Sequence, residues 1–292
     1  MKIILAYDGS EGANRAAEAV RLFAAGPLSV RIVRVRSQPP RGLARLLSGE
    51  EEPQPGQELP SVDGITTQIR QIRPEAEIDT CEADGHPGEV IVREARQMEA
   101  DLILMGRRGL GGMKQLFLGS VSLNVIHHLP CAVLAVQNPV TSPPKVLCAA
   151  DGSDSSLAAL RWVSRRHRLV AGTKFFLKTI QEQGAYFGGS RSVMTRDLDP
   201  IFADYYRNVA KQSRMLLEQA YDADTIESGL YDGTHPVPVY LLECADRIEP
   251  DLFLMGYRGL GAVSRLFTGS VTHAILMGSA WNVLIVPGPP VD

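Results

Sequence analysis

The sequence predicts an α/β protein made of two tandem, doubly wound domains, each a parallel sheet with helices on both faces. Three observations carry that prediction. The chain is written twice, each copy alternates short apolar runs with helical patterns, and several of those runs are unbroken. A strand buried on both faces reads as a continuous apolar run, and strand–helix alternation implies parallel pairing through right-handed crossovers.

The repeat is explicit. Asp101 to Val121, DLILMGRRGLGGMKQLFLGSV, returns as Asp251 to Val271, DLFLMGYRGLGAVSRLFTGSV, with 14 of 21 positions identical at an offset of 150. Lys2 to Ser10, KIILAYDGS, returns as Lys145 to Ser153, KVLCAADGS, at an offset of 143, so the second copy gains seven residues in between. At roughly 100–200 residues per domain, a chain of 292 holds two. The joint, Gln137 to Pro144, is QNPVTSPP, which reads as an extended linker. The domains are therefore placed at 1–140 and 141–292.

In the first copy, Ile3–Ala6, Val30–Val35, Ile78–Ala83, Leu102–Met105 and Ala132–Val136 read as strands. Between them, Ile91, Ala95 and Met98, and then Val121, Val125 and Leu129, recur at helical spacing. Pro39 to Pro60 is rich in Pro, Gly and Glu and reads as a mobile surface insertion between strand 2 and helix 2. In the second copy Gly184–Pro200 takes that place, followed by an amphipathic helix over about Ile201–Ala220.

Composition narrows the function. Hydrophobic residues are 45%, charged residues 22% and the net charge is −3, values that argue against a dedicated nucleic-acid binder. No apolar run approaches the ~20 residues of a membrane helix, and the N-terminus does not read as a signal peptide. The four cysteines, Cys81, Cys131, Cys148 and Cys244, form no CxxC pair; they fit buried thiols in a reducing cytoplasm. The arginines at 31, 34, 36, 41 and 45, and at 161, 165, 166 and 168, lack interleaved aromatics and read as solvated faces. His127 and His128 are adjacent, so on a helix they diverge and make no joint metal pair. No metal site built from side chains is expected.

Ligands of open parallel sheets bind beyond the carboxyl ends of the strands, at a topological switch point. Strand 1 ends there at Asp8 in one copy and Asp151 in the other; strand 4 ends at Gly106 and Gly256. After strand 4 runs a fixed pattern: Gly106, Gly109, nine residues, Gly119-Ser120, copied as Gly256, Gly259, nine residues, Gly269-Ser270. Glycines let a ligand approach the backbone. Ser120 and Ser270 precede helical patterns and read as N-caps, and a helix start is an anion site. Arg108 and Arg258 share one place in the loop and could approach a phosphate.

That doubled pattern resembles the nucleotide-binding signature of the universal stress protein family. The strand ending in DGS, the D-L-[IF]-L-M-G strand and the short final strand agree, and both halves are covered. The resemblance implies a tandem member, with five parallel strands per domain in the order 3-2-1-4-5. It implies ATP in each crevice, with Mg2+ carried on the phosphates. The nucleoside would lie against Ala6 and Asp8, or Ala149 and Asp151. The backbone of Val35 would hold adenine, with Thr179 its match in the second copy. The phosphates would lie on Gly106, Gly109, Gly119, Ser120 and Val121, or on Gly256, Gly259, Gly269, Ser270 and Val271. It also implies pairing through the last strands, Cys131–Val136 and Asn282–Val286, within the chain or in a homodimer.

Other readings stand beside this one. Asp in a strand–helix turn is commonly a turn or cap residue, and glycines can be punctuation. For an enzyme, efficient hydrolysis needs a positioned water and charge neutralisation at the γ-phosphate. There is no GxxxxGK[ST] loop and no repeated acid, base or nucleophile given over to chemistry, so no catalytic residue is assigned. The remaining alternatives are an ATP-hydrolysing enzyme and a nucleotide-free structural dimer. The leading expectation is an ATP-binding, cytoplasmic stress-response regulator acting on a protein partner, without nucleic-acid or membrane binding.

Overall fold

A computed structural model describes residues 1–24, 26–37, 59–107, 119–180, 199–231, 236–257, 270–278 and 280–289, with the side chains at 199–203 and 270 excepted. The chain divides into two compact units. Unit 1 comprises Met1–Arg21 and Gly26–Pro139; unit 2 comprises Leu22–Ala25 and Val140–Asp292.

Unit 1 runs β1 (Lys2–Ala6), α1 (Glu11–Glu18), β2 (Ser29–Ser37), α2 (Asp63–Ile72), β3 (Glu77–Gly85), α3 (Pro87–Met98), β4 (Leu102–Gly106), α4 (Ser120–His128) and β5 (Ala132–Val136). Unit 2 runs β6 (Lys145–Ala150), α5 (Asp154–Arg161), β7 (Lys174–Thr179), α6 (Asp199–Glu218), β8 (Ile226–Leu230), α7 (Val237–Ile248), β9 (Leu252–Tyr257), α8 (Ser270–Gly278) and β10 (Asn282–Pro287). A single π turn, Trp162–Arg166, continues α5. Within each unit the strands are parallel and ordered 3-2-1-4-5: β3-β2-β1-β4-β5 and β8-β7-β6-β9-β10. The five strands read from the first copy and the long helix before β8 all form. Most of Pro39–Pro60 and of Gly184–Pro200 lies outside the described residues.

The unbroken apolar runs fill the sheet centres. Ile3, Ile4, Leu5, Leu102, Ile103 and Leu104 are fully buried in unit 1, and Val146, Leu147, Cys148, Leu252 and Phe253 in unit 2. Met105 and Met255 pack as expected. Cys148 and Cys244 are buried, Cys81 and Cys131 partly so, and all four thiols are free. Burial pushes the Cys131 thiol up to about 12, so it stays protonated and inert.

One clamp recurs at the amino edge of strands 1 and 4. The Lys2 N–H donates to Asp101 Oδ2 at 2.8 Å, and the Lys2 ammonium donates to the Met98 carbonyl at 3.0 Å. In unit 2 the Lys145 N–H donates to Asp251 Oδ2 at 2.8 Å, and Lys145 Nζ to the Ile248 carbonyl at 3.2 Å. Ahead of each clamp the helix ends on a left-handed residue, Glu99 (φ 52) or Glu249 (φ 50).

The arginines of β2 correct a sequence expectation. Parallel register sets Arg31, Arg34 and Arg36 opposite Asp79, Glu82 and Asp84 of β3. Arg34 is buried, bonded to Glu82 and to the Pro60 carbonyl, instead of lying on a solvated face. Arg31 reaches Asp79 at 2.7 Å and Glu94 of α3 at 3.6 Å. The sequence shows a run of arginines; only the register shows the acids facing them. Arg161, Arg165, Arg166 and Arg168 are exposed, as expected.

Candidate functional site

The order 3-2-1-4-5 places the switch point between strand 1 and strand 4 of each unit, because the chain leaves strand 1 in one direction and later returns on its other side. Ala6 is in register with Met105, and with Val33 on the other side. Asp8 therefore emerges level with Val35 and with the end of β4. In unit 2 the β6–β9 register runs to Cys148–Leu254, which brings Asp151 to the end of β9.

The Asp-Gly-Ser turn is the same device twice. Asp8 Oδ1 accepts the Ser10 N–H at 3.0 Å, and Ser10 Oγ accepts the Ala13 N–H at 3.2 Å, capping α1. Asp151 Oδ1 accepts the Ser153 N–H at 2.9 Å, and Ser153 Oγ accepts the Ser156 N–H at 3.2 Å, capping α5. The middle residues, Gly9 (φ +79) and Gly152 (φ +81), hold the left-handed conformation that favours glycine. One oxygen of each aspartate is thus committed to the turn, the role sequence reasoning weighed against ligand contact. Asp8 is exposed and Asp151 half-buried.

At the end of β4 the chain leaves from Arg107 and returns to it: the Gly119 N–H donates to the Arg107 carbonyl at 3.0 Å. Arg108 and Gly109, and in the second copy Arg258, Gly259 and Gly269, lie outside the described residues. Helix α4 starts at Ser120 with Gly119 as its cap and no side-chain capping bond. This corrects the expected role of Ser120, which is the first helical residue; Ser270 likewise is the first residue of α8. An extended Gly119 (φ −63, ψ 151) already supplies the cap geometry, so the serine falls one place inside. The N–H groups of the first turn have no intrahelical acceptor by construction, and the cap residue of α4, Gly119, has no side chain to take one.

Two site features escaped the sequence reading. Ser122 Oγ donates to the Gly106 carbonyl at 3.2 Å, and Thr272 Oγ1 to the Gly256 carbonyl at 3.1 Å, pinning each helix start to its strand end. The signal was present as a hydroxyl two residues after each Gly-Ser. Arg107 and its counterpart Tyr257 are both buried, and burial pushes the Tyr257 phenol up. No sequence pattern announced that.

Two further corrections concern the second copy. A Cβ on Gly256 would sit 2.2 Å from the Ser155 carbonyl carbon and oxygen, so what approaches this glycine is the first turn of α5. Its smallness serves helix–strand packing. Register also moves the match of Val35. Thr179 pairs with Ala150, and the equivalent pairing in unit 1 falls on Tyr7 and Arg34. Thr179 therefore stands where Arg34 stands, and Ile180 corresponds to Val35. The copies differ here by a shift that loose alignment of the TKFFLKTI strand concealed.

The fold and this edge of the sheet define a tandem α/β protein whose two crevices share one framework. The model of the Universal stress protein family matches residues 1–137 and again 144–287, and the chain belongs to that family. A universal stress protein of Thermus aquaticus is 36% identical over 146 residues, which cover 46% of this chain and 97% of that protein. One from Synechocystis is 52% identical over 61 residues, spanning 20% of this chain and only 40% of that relative. Among solved structures, a universal stress protein from Archaeoglobus fulgidus matches with a TM-score of 0.61 at 17% identity, covering 98% of each chain, a likeness of fold. Among the described residues, no helix is long and apolar enough to cross a membrane.

Proposed function

We propose that this chain is an ATP-binding regulatory protein of the stress response, holding nucleotide at the carboxyl ends of strands 1 and 4 in one or both units, with slow or no hydrolysis. The observation that carries the reading is the juxtaposition at that switch point. The Asp8 turn lies at the same sheet edge as a helix start whose cap residue, Gly119, has no side chain, and the Asp-Gly-Ser turn recurs at Asp151. In the first unit Ala6, Asp8 and Val35 would hold the nucleoside. Gly106, Gly119, Ser120 and Val121 would face the phosphates, with Arg108 and Gly109 on the intervening loop. In the second, Ala149 and Asp151 would hold the nucleoside, and the segment from Arg258 and Gly259 to Gly269, Ser270 and Val271 would take the phosphates.

The donor set fits a phosphate. Backbone N–H groups at a helix start, with the helix dipole behind them, favour a polyanion. Ser122 and Thr272 hold those starts in place by bonding the strand carbonyls. Mg2+ would arrive on the phosphates. Binding without turnover is enough for regulation. At ATP ~1,000-fold above Kd, the ligand adds ~4 kcal/mol to the folded state, so fold persistence would follow cytoplasmic ATP. A protein partner would read that change.

The test is to purify the protein without added nucleotide, denature it, and count the released small molecules per chain. ATP near two per chain supports two working sites, and near one shows divergence. ADP or AMP alone favours the hydrolytic alternative and a turnover assay. A protein that is empty and ignores ATP in a thermal-shift titration would favour the structural alternative.

A further inference from the structure

The two Asp-Gly-Ser turns share a backbone and differ in what stands over them. In unit 1 the residue before Asp8 is Tyr7, partly exposed, its phenol pushed up chiefly by burial and then by the Asp8 charge. The outward direction of Gly9 meets Pro60, whose Cβ would lie 2.8 Å from an added methyl. In unit 2 the place of Tyr7 is taken by Ala150, fully buried. The outward direction of Gly152 meets α6 instead. An added Cβ would lie 2.7 Å from Val209 Cγ2 and 2.9 Å from Tyr205 Oη. The second unit thus regains a tyrosine beside its turn, from a different element. Tyr205 is 50% exposed, whereas its neighbour Tyr206 is 8% exposed and meets it edge-on at 5.1 Å.

A singly exposed tyrosine needs no explanation by itself. The placement does the arguing: an aromatic ring, half open to solvent, stands at the carboxyl edge of β6, over the residue that follows Asp151. We propose that Tyr205 is a base-contacting residue of the second crevice, stacking on a purine nucleotide bound beside the Asp151 turn. Every base has a π-face, and an aromatic ring held on a rigid helix stacks on it at low entropic cost. The inference rests on the nucleotide-binding reading above.

The test is calorimetric titration of the full chain with ATP and, separately, with tripolyphosphate, a probe without a base. Tyr205→Ala should weaken one class of ATP sites about tenfold, the stacking range for one base. The other class, identified by its response to Asp8→Ala, should be unchanged. Tyr205→Phe keeps the ring and should stay within about twofold of the parent. Tripolyphosphate affinity should not move with either variant. If ATP binds the parent protein and Tyr205→Ala shifts neither class, the inference is overturned while the nucleotide reading stands. Equal loss of tripolyphosphate affinity would assign Tyr205 to packing and also overturn it. A parent protein that binds no ATP removes the nucleotide reading first, before any variant is made.

Discussion

In unit 1, strand 2 meets strand 3 through charge. Arg31, Arg34 and Arg36 face Asp79, Glu82 and Asp84 rung by rung. In unit 2 the same two strands carry Phe175, Phe176 and Leu177 opposite Ile226, Glu227 and Ser228, with Lys178–Glu227 as their ion pair. The connection after the first helix is also fastened differently. In unit 1 Arg73 reaches the Gly26 carbonyl at 2.7 Å. In unit 2 the Tyr221 hydroxyl donates to the Val163 carbonyl at 2.8 Å and accepts the Leu169 N–H at 2.9 Å, with its ring 4.5 Å from Phe175. Between strands 1 and 4 the copies still agree bond for bond: the Asp-Gly-Ser cap, the Lys–Asp clamp and the hydroxyl that pins the last helix. Within one frame, the 2–3 side accepts either ion pairs or aromatic packing, because either one satisfies burial there. The 1–4 side keeps its bonds because they position backbone, which side-chain repacking does not replace.

The largest expected effect breaks the 1–4 side. Gly256→Ala forces a methyl onto the Ser155 carbonyl and should cost about 3 kcal/mol, an overpacking penalty borne by backbone. Urea unfolding followed by hydrogen exchange should show the loss in unit 2. A loss under about 1 kcal/mol would mean α5 can slide, and that the frame is less rigid than its bonds imply.

Tyr221→Phe comes next, because it strands the Leu169 N–H and the Val163 carbonyl together; about 2 kcal/mol is expected in unit 2 at neutral pH. Burial pushes the Tyr221 phenol up to about 12. The folded state therefore keeps a proton that the unfolded chain releases from about pH 10 upward. Stability from this group is complete below about pH 10 and is lost as pH climbs toward 12. Denaturant midpoints measured across that window should fall less steeply in the phenylalanine variant, and parallel curves would remove the phenol as the cause.

A third pair of variants should move in opposite directions. Arg34→Met leaves the Pro60 carbonyl without this donor and Glu82 with Arg36 alone, and should cost unit 1 about 1 kcal/mol. Thr179 holds the equivalent place in unit 2, and among the described residues its buried Oγ1 has no hydrogen-bond partner. Thr179→Val should therefore gain about 0.5 kcal/mol, since a buried hydroxyl without a partner is replaced by a methyl. Destabilisation by the valine would show that the hydroxyl has a partner after all. The smallest effect is ionic. The half-exposed pairs of β2 and β3 are each worth about 0–1 kcal/mol, so raising salt should cost unit 1 a few tenths more than unit 2.

Much of this is legible in the sequence. Unbroken apolar runs marked strands 1, 4 and 5 because those strands are covered on both faces. The Asp-Gly-Ser turn was legible too, since only a residue tolerant of positive φ suits Gly9 and Gly152. The site was harder to read. Ser120 resembled a cap, yet whether a serine caps or begins a helix depends on one backbone dihedral that composition does not encode. By sequence alone Thr179 matches Val35, yet two strands without shared residues align only through the partners they pair with.

The sequence alone determined that the chain has two copies of one α/β unit, the positions of the strands, and the glycine and serine placements at their carboxyl ends. These follow from local conformational preference and from burial, which act residue by residue. Only the tertiary structure decided that acids face the arginines of β2, that Gly256 yields to Ser155, and that Tyr205 reaches the turn its own unit left without a tyrosine. Each of those is a meeting of residues far apart in the chain, set by strand register and helix packing, and no window of sequence contains both partners.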